Sequence, residues 1–86
     1  GVLAFLEKQK QNYVYLISTD EKASLLVDIR RVLTELNIRY SSARLNRKEG
    51  GFEIEIIFNT SENKNRDFLE KIMLVKGVRE VLSENL

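Results

Sequence analysis

The chain has no cysteine and no histidine among its 86 residues. The first absence removes disulfides, thiolate metal ligands and thiol chemistry. The second removes the commonest general base, the commonest metal ligand and the usual switch near neutral pH. An enzyme built on this chain would work with carboxylates, lysine, arginine, tyrosine or serine alone. A surplus of one charge is also missing, since 14 Lys and Arg stand against 13 Asp and Glu. That balance argues against a dedicated nucleic-acid binder, whose affinity comes mainly from clustered cations. The opening apolar run, Val2–Leu6, is far short of the ~20 residues a bilayer requires. Glycine pairs only once, at Gly50-Gly51. That pair falls between two strand-like segments rather than between a strand and a helix, so no Gly-rich phosphate loop is present.

What remains is an ordinary globular composition, 43% hydrophobic and 31% charged, in a chain long enough for one domain with one modest core. Disorder is excluded on that balance. Charge is uneven along the chain: residues 1–48 carry nine cations and five anions, residues 49–86 five cations and eight anions. Strand faces of different sign account for it.

The pattern of elements centres on Tyr13 to Leu36. Residues 12–19 read as a strand, rich in aromatic and β-branched residues and apolar at both alternating sets, Tyr13, Tyr15, Ile17 and Val14, Leu16. Such a strand is covered on both faces or belongs to an interface, so it is expected mid-sheet. Ser18-x-x-Glu21 fits a capping box, with Thr19 and Asp20 as rival caps. Leu25, Leu26, Ile29, Val32, Leu33 and Leu36 then form an apolar stripe of helical period, ending at Asn37. Residues 38–46 form a weakly hydrophobic edge strand, and 47–51 a hairpin turn in which paired glycines supply positive φ. Residues 52–59 alternate cleanly, with Phe52, Ile54, Ile56 and Phe58 on one face. Residues 60–66 are a polar connection or frayed helix start. Phe68, Leu69, Ile72, Met73 and Val75 are the apolar side of a second helix that Gly77 stops, and residues 78–83 are a last strand.

The order β-α-β-β-α-β is that of an α+β, ferredoxin-like fold: a four-stranded antiparallel sheet with two helices on one face. Residues 12–86 are that domain. Residues 1–11 form a lead-in helix ahead of it, and two readings stay open. Either Val2–Leu6 is the end of a transmembrane helix flanked by Lys8 and Lys10, or the segment packs on the domain or a partner. Beginning with Gly rather than Met, the chain is expected to be part of a longer protein. With two helices on one face, the sheet's other face keeps an apolar patch. If Tyr13, Tyr15 and Ile17 meet the helices, that patch is Val14, Leu16 and Ile57; in the reverse register the tyrosines are exposed instead. Either way a homodimer or docking contact through it, or through strand edges, is expected.

No catalytic constellation is visible. Glu53 and Glu55 lie on one strand face about 7 Å apart, a separation some glycosidase carboxylates share, but a salt-bridged strand face accounts for them. An RNA-recognition reading fails on the third strand, where Gly51-Phe52 is followed by Glu53, Ile54 and Glu55.

Several segments resemble the ACT domain, a family of small ligand-sensing regulatory domains. Glu21-Lys22-Ala23-Ser24-Leu25-Leu26-Val27-Asp28-Ile29 is similar to the family's turn and first helix, roughly Asp-Arg-x-Gly-Leu-Leu-x-Asp-Ile. Leu36-Asn37-Ile38 resembles the approach to strand two, and Gly77-Val78-Arg79-Glu80-Val81 the closing Gly-Val-x-x-Val. The likeness runs over residues 12–84. It implies a non-catalytic regulatory domain without a cofactor, and places a small-ligand site at Ser18, Thr19, Asp20, Lys22, Ala23 and Ser24. One departure stands out: the family glycine is Ser24 here, and a Cβ at that point opposes close ligand approach.

For the parent protein, the apolar-then-basic start resembles a domain following a membrane segment. MgtC/SapB-type inner-membrane proteins, tied to magnesium homeostasis, carry such a cytosolic C-terminal domain. The alternative parent is a RelA/SpoT-type alarmone synthetase. Both imply a cytoplasmic domain. An acylphosphatase-like enzyme shares the element order, but it needs an anion loop after strand one, where this chain has Asp20-Glu21.

Overall fold

A computed structural model describes residues 9–20 and 25–84. The elements are β1 (Lys10–Thr19), α1 (Leu25–Glu35), β2 (Tyr40–Lys48), β3 (Gly51–Ser61), α2 (Glu62–Ile72) and β4 (Val78–Glu84). The four strands form one sheet in the order β2-β3-β1-β4 with every neighbouring pair antiparallel. This is the expected ferredoxin-like βαββαβ arrangement. β1 is central: all ten of its residues pair with β3, and Val14 to Thr19 pair with β4 on the other side.

The core lies between one sheet face and both helices. Tyr15 and Ile17 from β1 and Ile54, Ile56 and Phe58 from β3 meet Leu25, Ile29, Val32 and Leu33 of α1 and Phe68 and Ile72 of α2. Residues two apart on a strand share a face, so Tyr13 and Thr19 point the same way. Tyr15, Phe58 and Phe68 form a ring cluster with centroids 5.0–5.7 Å apart, within the range where aromatic pairs add to burial. The Tyr15 hydroxyl leaves this cluster to donate to Asn65 Oδ1 at 2.5 Å, which fastens the first turns of α2 over the sheet.

Both helices start and stop on local chemistry. Ser61 caps α2 by accepting from the Lys64 N–H. α1 ends in a Schellman motif: Asn37 takes φ 55°, its N–H donates to Thr34 O, and the Ile38 N–H donates to Leu33 O. Ile38 and Leu33 are both buried in the core, the apolar contact that accompanies this ending.

Several expectations shift. Lys10 and Gln11 belong to β1, paired with Ser61 and Thr60, and not to a lead-in helix; residues 1–8 lie outside the described residues. Ser18 and Thr19 are strand residues, so neither caps α1, and Asp20 is the candidate left among the described ones. β2 starts at Tyr40 and runs to Lys48, with an irregularity between Tyr40 and Ser42 that resets its alternation. The hairpin loop is therefore Glu49-Gly50 alone, and only Gly50 takes positive φ, 80°. Thr60 and Ser61 end β3 instead of forming a connection. α2 ends at Ile72 with Met73 as its C-cap, four residues before Gly77, and Met73 is 71% exposed rather than part of the apolar side.

Candidate functional site

The expected ligand residues flank the end of β1, where the chain leaves the sheet for α1. Of those described, Ser18 and Thr19 fall on opposite faces of the sheet. Ser18 pairs with Glu53 and Glu80 and belongs to the face away from the helices. Thr19 is buried, and its hydroxyl lies within hydrogen-bond reach of two carbonyl oxygens, Asp20 O at 3.1 Å and Phe52 O at 3.3 Å. Asp20 closes the strand: its N–H donates to Gly77 O at 2.9 Å. Lys22, Ala23 and Ser24 lie outside the described residues.

Two glycines that periodicity did not single out make this junction tight. A Cβ at Gly51 would overlap the Thr19 carbonyl oxygen and stand 3.1 Å from Asp20 C. At Gly77, where φ is 100°, a Cβ would meet Leu25 Cδ1 at 2.9 Å and the Asp20 carboxylate oxygens at 3.1 and 3.2 Å. The β3 hairpin and the loop into β4 therefore press backbone against the β1–α1 junction from two sides. The sequence signal was available in Gly50-Gly51. Only Gly50 of the pair serves the turn, and Gly51 is the position of close approach.

The second expected surface is the sheet face opposite the helices. Val14, Leu16 and Ile57 lie there together, since Val14 pairs with Ile57 and the core residues alternate with both. They differ in depth: Val14 is 3% exposed and forms a floor, while Leu16 and Ile57 are half-buried. Leu82, which sequence reading did not place, pairs with Leu16 and is 49% exposed; its spacing between Glu80 and Glu84 was the available sign. Among the described residues no helix covers this face. Charged side chains flank the patch. Arg44 reaches Glu55 and Lys48 reaches Glu53, both at 3.9 Å, so the paired carboxylates are the salt-bridged strand face expected of them. Tyr13, Tyr15 and Phe52 are on the helix side, which leaves no aromatic from β1 or β3 on the open face for base stacking.

Among the described residues no group of three or more Asp or Glu is placed to hold a metal ion, and no helix is long and apolar enough to cross a membrane.

No protein-family model matches the chain, and no curated protein matches it. Solved structures do. The crystal structure of the ACT domain from GTP pyrophosphokinase of Chlorobium tepidum aligns with a TM-score of 0.76 at 19% identity, over 88% of this chain and 100% of that one. A homoserine dehydrogenase from Thiobacillus denitrificans aligns at 0.74 and 21% identity, over 91% of this chain and 18% of that one. An uncharacterized protein from Thermotoga maritima aligns at 0.69 and 14% identity, over 90% and 100%. At such identities the likeness speaks for architecture: this chain shares the fold of the ACT domain.

Proposed function

We propose that this chain is a non-catalytic regulatory domain of a larger protein, sensing a small molecule at the β1–α1 junction and pairing with a second copy. The observation that carries the reading is the junction itself. Gly51 and Gly77 bring two backbone segments against Thr19 and Asp20, so an occupant there is felt at once by β1, the hairpin and the path into β4. The neighbours support it, because one is an ACT domain aligned over its full length.

Those neighbours also bear on the parent. Two of them come from enzymes, a GTP pyrophosphokinase and a homoserine dehydrogenase, which favours the RelA/SpoT-type alternative over an MgtC/SapB-type membrane protein. Nothing in the fold or the neighbours speaks for a magnesium-linked parent.

A second copy of the chain suits the open sheet face on charge as well as on apolarity. Arg44 and Lys48 lie along its β2 edge, Glu80 and Glu84 along its β4 edge. A two-fold axis parallel to the strands over the Val14–Leu16–Ile57–Leu82 patch sets each basic edge over the partner's acidic one.

A thermal-shift screen against free amino acids and nucleotides tests the sensing role: a saturable rise in Tm with one of them is expected. No shift with any would overturn it and leave a scaffold. Sedimentation tests the pairing, with a dimer expected for the native chain and a monomer of unchanged circular dichroism for Leu82→Glu. A monomeric native chain would sink the dimer proposal.

A further inference from the structure

At the end of the sheet remote from the β1–α1 junction lies a cavity of about 410 Å³ that the proposed function does not use. Its wall is cationic. Lys10 from the start of β1, Arg39 from the segment after α1 and Lys64 from the first turn of α2 all line it, and among the described residues no carboxylate does. Among the described residues none of these three cations forms an ion pair, although Arg31, Arg44, Lys48 and Arg66 all do. In a chain with a net charge of only +1, three unneutralised cations on one concavity are a local concentration of positive potential.

The first turn of α2 adds to it. Ser61 and Lys64 line the cavity, and the free backbone N–H groups there carry the positive end of the helix dipole. Ser61 Oγ takes only the Lys64 N–H. Glu62, the one acid in this turn, does not line the cavity and is engaged by Arg66 at 3.9 Å. The nearby end of α1 would oppose an anion with its carbonyl oxygens. The Schellman motif has already satisfied those at Leu33 and Thr34.

Thr60 gives this cavity a feature that a solvated basic surface lacks. It is 4% exposed, lies on the helix side of β3 and lines the cavity. Its hydroxyl has no hydrogen-bond partner among the described residues, and no fully buried polar atom is left unsatisfied, so the hydroxyl meets the cavity. A nearly buried hydroxyl normally finds a protein partner. Here the place of that partner is inside a cation-lined space. The Tyr15–Asn65 hydrogen bond holds α2 in position, so the arrangement is preorganised.

We propose that this cavity binds a phosphate-bearing small molecule. Thr60 and the α2 N-terminus would hold one phosphoryl group, and Lys10, Arg39 and Lys64 would neutralise it and an adjoining one. Three cations suit a diphosphate better than a single phosphate, and the volume lies within the range of ordinary ligand sites. The proposal rests on residues of its own and stands or falls separately from the sensing role of the β1–α1 junction.

Pyrophosphate titrated into the 86-residue chain, followed by amide chemical shifts and calorimetry, tests it. Saturable shifts confined to Lys10, Asn37–Arg39 and Asn59–Asn65 are expected. Arg39→Gln and Lys64→Gln should each weaken binding about tenfold, and the near-isosteric Thr60→Val about threefold to tenfold. Arg31→Gln, on the outer surface of α1, should leave binding unchanged. An absence of saturable shifts at millimolar pyrophosphate would overturn the proposal. So would equal weakening by Arg31→Gln, or binding to vesicles of an anionic phospholipid with none to free pyrophosphate.

Discussion

At Gly51 and Gly77 the side chain is absent for different reasons. Gly51 makes room for a carbonyl oxygen, so Gly51→Ala forces the hairpin away from Thr19. A loss of about 1–3 kcal/mol is expected, the usual cost of overpacking, read by urea denaturation. Gly77→Ala adds a positive φ to a near-contact with Leu25, and should cost about 1–2 kcal/mol by the same measurement. Tyr15 carries a pH signature. Burial raises the pKa of its phenol. With the folded pKa above the unfolded one, stability from this group is complete below about pH 10. Above that the unfolded chain ionises first and stability falls until the folded phenol ionises too. Denaturation midpoints should therefore decline above about pH 10, and Tyr15→Phe should flatten that decline. The same substitution should cost about 1 kcal/mol at neutral pH, the worth of one hydrogen bond.

The elements show where periodicity suffices. The α1 stripe, the clean alternation of Phe52, Ile54, Ile56 and Phe58, and the doubly apolar Tyr13–Ile17 were all legible, because burial acts on each residue at a fixed repeat. Boundaries were not. Ser18-x-x-Glu21 has the letters of a capping box, yet Ser18 is held by backbone pairing to two strands at once, and ladder hydrogen bonds outweigh a side-chain cap. Met73 matched the helical repeat, but α2 had already ended one residue earlier. Asn37 was read correctly as a stop, and the Schellman geometry explains why. Its φ of 55° suits Asn among non-glycine residues. Asn37→Ala should lower stability by about 1 kcal/mol, and Asn37→Gly should raise it by a few tenths. Thermal melts of the two variants side by side check the pair.

For the whole molecule, the candidate sites were only half legible. The open face followed from helix placement and alternation, so Val14, Leu16 and Ile57 could be named from the chain alone. The cation-lined cavity could not, because Lys10, Arg39, Thr60 and Lys64 come from four separate segments and meet only through topology. One further consequence belongs to β1. It is flanked on both edges over Val14–Thr19, as β3 is over Phe52–Phe58, so its amides cannot reach solvent by local fraying. Deuterium uptake at Tyr15–Ile17 should proceed only through complete unfolding, whereas β2, bonded on one edge, exchanges through smaller and cheaper openings. The slowest-labelling amides of this protein should thus be a built-in gauge of its total stability, legible without any denaturant.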